Sequence, residues 1–566
     1  MSAARTRPAA TAGATHPTRA TGPTRATRPT RATGPARPSK PTKLTGPTKP
    51  LPDSVGLAEF LARAEADPLP LTDRYELVAA ARVLLSELYV HLPLKRAMHA
   101  IDPVQRLRLL ERRLAPLSEL QFHAELADTF RELRDLHTLY QLPTPYRGHV
   151  AALGFLVERY TDPDGTPHHL VSKVEPTLVH AGFDVGVELE AWNGVPIDRA
   201  IERHAAAQAG SHHEARLARG LESLTLRPLR TMPPPDEHWV QVSYRTRSGR
   251  RRETRVPWRV RAADQQAGRA QDPVPTLATG LGIDAGNEAT RQLKRRMFAP
   301  PPARRAGARA LRSVLDHRTV RLGGRAYGHL RIFSFNVAGA RQFAEQVARI
   351  AARAPAGGLI VDVRGNPGGL VPAAESALQV LSEEPIAPVS FSLATTGAAL
   401  ALAGAHTGFR TWAASIRSAL ETGEVYSQGF ALTDPAAITA GLPRHTGPKV
   451  LITDALSYSA ADVFAAGFQD NGLGPVLGTA PRTGAGGANV WTHELLRVWL
   501  PELLAPLPRG AGFRVALRRA TRARGNVDVP LEDLGVQADA VHALTRRDLT
   551  GSNRDLLTAA AALLAG

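Results

Sequence analysis

A serine-rich turn ahead of a helix-forming stretch is the clearest candidate for chemistry in this chain. Ser457, Tyr458 and Ser459 stand directly before residues 460–469, which favour a helix. A second segment, residues 357–369 (GGLIVDVRGNPGG), predicts a short buried strand that ends in a turn with exposed backbone amides. A serine at a helix N-terminus, facing free N–H groups, has the parts of a nucleophile beside an oxyanion hole. The alternative for Ser459 is an N-cap that hydrogen-bonds the first helical turn.

The elements that must position these residues alternate between strand and helix. From about residue 318 to residue 545, apolar strand-like runs are separated by stretches with helical spacing. In order they are YGHLRIFSF, a helix at 339–352, LIVDV, a helix at 373–381, KVLITD, the helix at 460–469 and PVLG. This order predicts an α/β core in which helices cover the sheet.

Four segments precede this core. Residues 54–148 have helical periodicity, and residues 149–261 mix strand-like runs with an Asn193-Gly194 turn and a hairpin candidate, WVQVSYRTRSGRRRETRVPWRV. Residues 1–53 are rich in Thr, Pro, Arg and Ala, which predicts a disordered basic tail because almost nothing apolar is available to bury. Residues 262–317 are polar and basic, and they predict a connector or an insertion.

Composition excludes several classes of function. The net charge is +18, but residues 1–50 hold ten Lys and Arg and no acidic residue, so about +8 is spread over the remainder. No zinc-finger spacing or aromatic RNA motif accompanies this charge, which argues against a specific nucleic-acid partner. The absence of cysteine excludes disulfides and thiol catalysis. No run has the length of a membrane span and no secretory signal is visible, so a cytoplasmic location is the expectation.

Four motifs in a fixed order carry a family resemblance. They are FDVGVELEAWNGVPIDRAI from Phe183, GGLIVDVRGNPGG, LITDALSYSAADVFAAGFQDNGLGPVLG, and VPLEDLGVQADAVHALTRRDL from Val529. Together they resemble the C-terminal-processing (tail-specific) serine peptidase family. The resemblance implies a ClpP/crotonase-like α/β core over residues 318–566, a helical N-terminal segment and a PDZ-like domain over residues 149–261. It also implies a serine endopeptidase that acts on a protein or peptide and needs no metal or organic cofactor.

Matching positions in the family motif assign the nucleophile and its oxyanion hole. Ser459 corresponds to the central serine of the family's Ser-x-Ser-x-Ser run, and the resemblance makes it the nucleophile. The oxyanion donors that it implies are the backbone N–H of Ala460 and that of Gly368 or Gly369. Ser457 is then a cap or a support for the turn.

The chain departs from most of the family at the general base. Most tail-specific peptidases pair the serine with a lysine in a Gly-Lys-Gly turn, and that position falls here at Gly484 in GTAPRTGAGG. No lysine follows Lys449. Arg482 cannot replace it, because a guanidinium stays protonated at any working pH. The Ser-Lys dyad is therefore absent.

A histidine-using branch of the family, which includes the tricorn core, suggests another base. FRELRDLHTLYQLP resembles the helix-end motif of that branch, which makes His137 the base and Glu532 the carboxylate that completes the set, directly or through an intermediate hydroxyl. The alternative for His137 is a helix-end histidine that interacts with the last carbonyls. The alternative for Glu532 is a solvated loop carboxylate, and His493 is the reserve base.

Several neighbouring polar residues are expected to support the site. Asp362 and Arg364 should hold the end of the strand by ion pairing, and Asn366 should do so through backbone bonds. Asp135 is expected to cap or orient, and Asp470 to be structural because no lysine is present for it to serve.

Two further interpretations stay open. A catalytically inactive family member could bind peptides or apolar ligands, as retinoid-binding relatives do, and loss of the lysine fits this interpretation. A scaffold acting through the tail and the PDZ-like domain is the weaker one. The sequence also leaves a homo-oligomer open, and the relatives' frequent export qualifies the expected location.

Overall fold

The computed structural model describes residues 54–178, 182–262, 281–283, six positions between 290 and 298, and 314–565. The tail predicted for residues 1–53 and most of the connector predicted for 262–317 lie outside these described residues. Within the described ranges, no single helix is long and apolar enough to cross a membrane. One pair of helices, Leu71–Leu88 and Leu92–His99, reaches the length and composition only together, across a bend of 97°.

The N-terminal part of the described chain is helical, as the periodicity predicts. Its α-helices are Leu57–Glu65, Leu71–Val83, Leu92–His99, Pro103–Glu111 and Glu119–Arg131, with a π-helical turn at Leu84–Leu88. The last of these helices leads toward His137, and its start is fixed by a capping box. Gln121 N donates to Ser118 Oγ (3.3 Å) while Ser118 N donates to Gln121 Oε1 (2.9 Å).

Two antiparallel sheets and two helices follow. The first sheet orders its strands as Ser54–Gly56, Arg259–Ala262, His149–Ala152 and Leu226–Pro228. The second orders Arg251–Pro257, Trp239–Arg245, Glu188–Trp192, Pro167–Val174 and Phe155–Thr161, with Val195–Pro196 beside Glu188–Trp192. The helices are Ile197–Ala206 and His213–Ser223. The predicted hairpin is confirmed, since Trp239–Arg245 pairs with Arg251–Pro257. The PDZ-like assignment stays a prediction.

The C-terminal core is the expected α/β arrangement. Its sheet orders the strands Leu315–Leu322, Arg325–Ile332, Leu359–Asp362, Lys449–Thr453, Val476–Gly478 and Ala540–Val541, and all but the first pair run parallel. Its helices are Ala340–Ala351, Val371–Val380, Gly397–Ala405, Ala413–Thr422, Pro435–Ile438, Ala460–Asp470, His493–Trp499, Arg546–Thr550 and Arg554–Ala565. The strands Leu359–Asp362 and Lys449–Thr453 are buried throughout, as a parallel sheet covered by helices requires.

A smaller antiparallel sheet joins the helical segment to this core. The long strand Gly512–Thr521 pairs with Ser390–Leu393, with Ala488–Thr492 and, at its start, with Leu139–Gln141. Because Leu139 stands opposite Arg514, the chain just after His137 is fixed to a strand more than 370 positions away. This pairing is what carries an N-terminal residue into the C-terminal core.

Candidate active site

Ser459 lies at a strained turn between a buried strand and a helix. The strand Lys449–Thr453 ends in the sheet, and the helix Ala460–Asp470 begins directly after the serine. Ser459 has φ 64° and ψ −119°, a conformation that side chains rarely adopt. Such strain persists only where the surroundings enforce it, and it recurs at nucleophiles on sharp strand-to-helix turns.

Asp462 supplies much of that enforcement. Its carboxylate accepts hydrogen bonds from Ser459 N (2.6 Å), Ala485 N (3.1 Å) and Gly486 N (2.9 Å), and from the hydroxyl of Thr483. Burial raises the pKa of Asp462 to about 7, although these donors work in the opposite direction. The turn before the helix is thereby tied to residues 483–486, where the family's lysine would stand.

His137 contacts Ser459 across 322 positions of sequence. Its Nε2 lies 2.9 Å from Ser459 Oγ, and both residues are buried. His137 lies beyond the helix Glu119–Arg131, so it does not cap that helix. Its position comes from the loop: His137 N donates to Asp135 Oδ1 (2.7 Å), and Thr138 Oγ1 donates to Asp135 Oδ2 (3.0 Å). Asp135 therefore orients the loop, which is the role expected for it.

The surroundings of His137 keep its imidazole neutral. Burial lowers the pKa of His137 well below 6.5, and the positive charges of Arg514, Arg219 and Lys95 lower it further. A neutral imidazole can accept the proton of the serine hydroxyl, whereas an imidazolium cannot.

The glycine turn lies against the turn that carries Ser459. Tyr458 N donates to the carbonyl of Asn366 (3.0 Å), which joins the two turns directly. Asn366 Oδ1 accepts from Gly368 N (2.9 Å). At Gly369 only glycine fits, because a Cβ would lie 2.0 Å from the carbonyl carbon of Phe335 and φ is +139°. Gly368–Leu370 forms a short strand that pairs antiparallel with Leu281–Ile283 of the chain itself.

The oxyanion hole stays a prediction, and one of its expected donors is the backbone N–H of Ala460. Ala460 is the first residue of its helix, and the N–H groups of a first helical turn have no partner within the helix. Ser457, two residues before Ser459, supports the turn: its Oγ donates to Val363 O (3.0 Å) and accepts from Asp454 N (3.1 Å).

Glu532 is buried beside a lysine that sequence reasoning did not single out. Lys95 Nζ lies 2.8 Å from Glu532 Oε1 and 2.5 Å from Asp533 Oδ1. Gly487 N donates to Glu532 Oε2 (3.2 Å). Burial raises the pKa of Glu532 well above 4.5, as does the nearby Asp135, while Lys95 opposes the rise. Glu532 is thus no solvated carboxylate, and its part in catalysis stays a prediction.

The other ring nitrogen of His137 faces a tyrosine and an aspartate. The hydroxyl of Tyr458 lies 3.4 Å from His137 Nδ1, and Asp135 Oδ1 lies 4.0 Å from it. Sequence reasoning missed Tyr458, Lys95 and Asp462. For Asp462 a signal exists, since a serine three positions before an acidic residue at a helix start is the capping-box pattern.

Gly484, at the position of the family's lysine, is enclosed. Its N–H donates to Ser457 O (2.7 Å), and a Cβ there would lie 2.8 Å from Tyr458 Cδ2. The local structure thus leaves no room for a lysine, which gives a physical reason for the missing dyad.

The remaining sequence candidates have structural partners. The expected ion pair is confirmed, with Arg364 Nη2 2.8 Å from Asp362 Oδ2. Asp470 pairs with Arg522 (2.5 Å), which agrees with a structural role. The reserve base His493 begins its own helix, and its ring centroid lies 6.4 Å from that of Phe513.

One cluster of the described residues has the composition of a metal site. His91, Asp135 and Glu532 each offer a ligand atom, and these atoms lie within 4.8 Å of one another. The ammonium of Lys95 already bonds Glu532 and brings the positive charge that a cation would supply. We assign no metal to this cluster.

A strained serine in contact with a neutral histidine, on an α/β core, defines the serine hydrolase class of site. Residues 326–540 match Peptidase family S41. The chain therefore carries a domain of this family, that of the C-terminal processing peptidases, which places it among the serine peptidases.

Solved structures support the same fold. Mature CPAF aligns at 16% identity with a TM-score of 0.62, over 86% of this chain and 96% of CPAF. Mature CPAF complexed with lactacystin aligns at 17% identity with a TM-score of 0.62, over 88% and 99% of the two chains. The tricorn protease aligns at 15% identity over 88% of this chain and 37% of its own, and its TM-score of 0.35 is too low to assign a branch. No curated protein matches the chain in sequence.

Proposed function

We propose that the chain is a serine endopeptidase in which Ser459 is the nucleophile and His137 the general base. The observation that carries this proposal is the 2.9 Å contact between His137 Nε2 and Ser459 Oγ. This distance lies within the range required of a base and the proton that it abstracts. The alternative, an inactive peptide-binding descendant, has no need for a buried neutral histidine at that position.

The proposed reaction follows acyl-enzyme chemistry. Ser459 Oγ bonds to the scissile carbonyl carbon as its proton passes to His137 Nε2. The C–N bond then breaks, and the imidazolium returns that proton to the leaving amine. Water then attacks the ester as His137 takes its proton, and the imidazolium returns that proton to Ser459 Oγ as the acid product leaves.

Backbone amides would stabilise the negative oxygen that forms on the way. Ala460 N–H lies at a helix N-terminus, where the helix dipole also favours negative charge. Gly368 or Gly369 would supply the second donor. In the resting structure Gly368 N–H donates to Asn366, so the substrate carbonyl would compete with that side chain or use Gly369.

An extended polypeptide is the substrate that best fits the glycine turn. The strand Gly368–Leu370 already holds one extended segment of the chain, Leu281–Ile283, in antiparallel pairing. Strand addition of this kind recognises a peptide through its backbone and is independent of most side chains.

A mixture of unstructured peptides, analysed by mass spectrometry for new termini, tests the proposal. We expect cleavage by the unaltered protein and none by Ser459→Ala or His137→Ala. Ser248→Ala, in an exposed turn, is the matched control and should cleave normally. Lactacystin, which is bound in one CPAF structure, should reduce cleavage. Products that persist in Ser459→Ala would contradict the assignment, and peptide binding without cleavage would favour the inactive alternative.

A further inference from the structure

Tyr458, the residue before the proposed nucleophile, is packed directly against the proposed base. Its side chain is 1% exposed, and its ring centroid lies 4.6 Å from that of His137 at an interplanar angle of 40°. The tyrosine hydroxyl lies 3.4 Å from His137 Nδ1, the nitrogen that faces away from Ser459. One buried side chain thus contacts the ring of the base and its second nitrogen.

Two glycines make room for this ring. A Cβ at Gly486 would lie 2.2 Å from Tyr458 Cζ, and a Cβ at Gly484 would lie 2.8 Å from Tyr458 Cδ2. Neither glycine has a positive φ, so packing against the ring, and not backbone conformation, requires them. The tyrosine therefore occupies the space beside the turn where the resemblance would have placed a lysine.

The ring is also fixed from the middle part of the chain and through its own backbone. The guanidinium of Arg219, on the helix His213–Ser223, lies 5.5 Å from the ring centroid, within the range of a cation–π contact. Tyr458 N donates to Asn366 O (3.0 Å). With both the backbone and the ring held, the hydroxyl is kept 3.4 Å from His137 Nδ1.

The chemistry of a histidine base defines what that hydroxyl can do. For Nε2 to accept the proton of Ser459, the neutral ring must carry its hydrogen on Nδ1, and that hydrogen needs an acceptor. Asp135 Oδ1 is 4.0 Å away and already accepts the backbone N–H of His137 at 2.7 Å. The Tyr458 oxygen is nearer to Nδ1.

We propose that Tyr458 is a positioning residue whose hydroxyl oxygen accepts the Nδ1–H of His137 and so holds the reactive tautomer and ring orientation. This inference rests on the proposed function. It gives a tyrosine the place that a carboxylate holds in a Ser-His-Asp triad.

The charged groups around His137 determine the expected pH response. They are Asp135 from its own loop, Arg514 from the strand Gly512–Thr521, Arg219 from the helix His213–Ser223, and His91 and Lys95 from the helical segment. The bond from Nδ1–H to the tyrosine is stronger when the ring is an imidazolium. Removing the hydroxyl should therefore lower the pKa of His137 further and move the acidic limb of reactivity to lower pH.

Tyr458→Phe tests the inference, because it removes the hydroxyl and keeps the ring that fills the space beside Gly484 and Gly486. The readout is the rate of reaction with a fluorophosphonate serine probe, resolved into a maximal rate and a half-saturating concentration across pH. We expect the maximal rate to fall about 10- to 100-fold, the range found when the hydrogen-bond partner of a metal-ligating histidine is removed, with half-saturation unchanged. The acidic limb should move to lower pH. Tyr75→Phe, at an exposed position of the helix Leu71–Val83, is the matched control and should change neither.

A second measurement distinguishes failure of this inference from failure of the proposed function. ¹⁵N shifts of labelled histidine, assigned by loss of the signal in His137→Ala, report the tautomer whether or not the protein reacts. We expect an Nδ1–H tautomer in the unaltered protein and a mixture in Tyr458→Phe. The inference would be overturned if the Tyr458→Phe variant kept the maximal rate, the acidic limb and a pure Nδ1–H tautomer. A probe that never reacts with the unaltered protein would overturn the proposed function instead.

Discussion

Lys95 and Glu532 form a buried ion pair that joins the helical segment to the C-terminal core, with Nζ 2.8 Å from Oε1 and both side chains almost fully enclosed. Asp533 and Asp135 share the same cluster. Burial alone would lower the pKa of Lys95, but the neighbouring carboxylates reverse that effect and raise it. The Lys95 ammonium is therefore the positive charge that compensates the burial of the carboxylates beside it.

Lys95→Met should destabilise the protein strongly. It removes the counter-charge and leaves Glu532 and Asp533 buried, a change that typically costs about 3–5 kcal/mol of unfolding free energy. Denaturant unfolding measures the loss. Arg63→Met, which breaks the exposed pair with Glu59, is the control and should cost less than about 1 kcal/mol. Equal effects of the two substitutions would contradict the account of the cluster.

The strained backbone of Ser459 predicts that glycine at this position gives a more stable protein than alanine does. Glycine accepts φ 64° and ψ −119° without strain, which relieves about 1–3 kcal/mol, more than the roughly 0.4–1 kcal/mol that its flexible unfolded state costs. Ser459→Gly should therefore unfold at higher denaturant concentration than Ser459→Ala. At Ser418, exposed within the helix Ala413–Thr422, the order should reverse. If the alanine variant were the more stable one at both Ser459 and Ser418, the account of strain at Ser459 would be wrong.

Gly484→Lys should not restore a Ser-Lys dyad. The new side chain would meet the Tyr458 ring and the carbonyl of Ser457 (3.1 Å), and overpacking of this kind costs about 1–3 kcal/mol. We expect lower stability and no recovery of probe reactivity when the change is made in a His137→Ala background. Gly404→Lys, on an exposed helical site with open space around it, is the control for stability. Recovered reactivity would show that the turn accepts a lysine after all.

The pH dependence of reactivity should reflect the buried base. Because the pKa of His137 is lowered well below 6.5, the imidazole stays neutral as the pH falls through 6.5. Reactivity with a serine probe should therefore persist below pH 6.5 and decline only as the pH falls through the pKa of the folded state. An acidic limb with its midpoint at or above 6.5 would contradict the desolvated environment described for His137.

The elements of the core and the nucleophile could be predicted locally, because their signals are local. Leu359–Asp362, Lys449–Thr453 and the helix after Ser459 follow from apolar runs, a glycine turn and helix-forming residues within short windows. The approach of His137 to Ser459 was expected only through the family resemblance. Nothing in the residues near His137 specifies that Leu139 pairs with Arg514.

The burial of Lys95 shows why other parts of the site could not be predicted from the sequence. A lysine on an amphipathic helix ordinarily lies in solvent, and only the arrival of Glu532 and Asp533 from the far end of the chain makes its burial favourable. The position of Tyr458 could not be predicted for a related reason. Its ring is accommodated by Gly484 and Gly486, 26 and 28 positions later, which could equally have been turn residues. Such contacts depend on the tertiary fold and have no periodic signature.

Mapping the adduct of a fluorophosphonate probe by mass spectrometry tests the central claim most directly. The account predicts one modified site, Ser459, whose labelling is abolished in Ser459→Ala, greatly slowed in His137→Ala and unchanged in Ser248→Ala. An adduct on another residue, or labelling of Ser459 at an unchanged rate in His137→Ala, would contradict it.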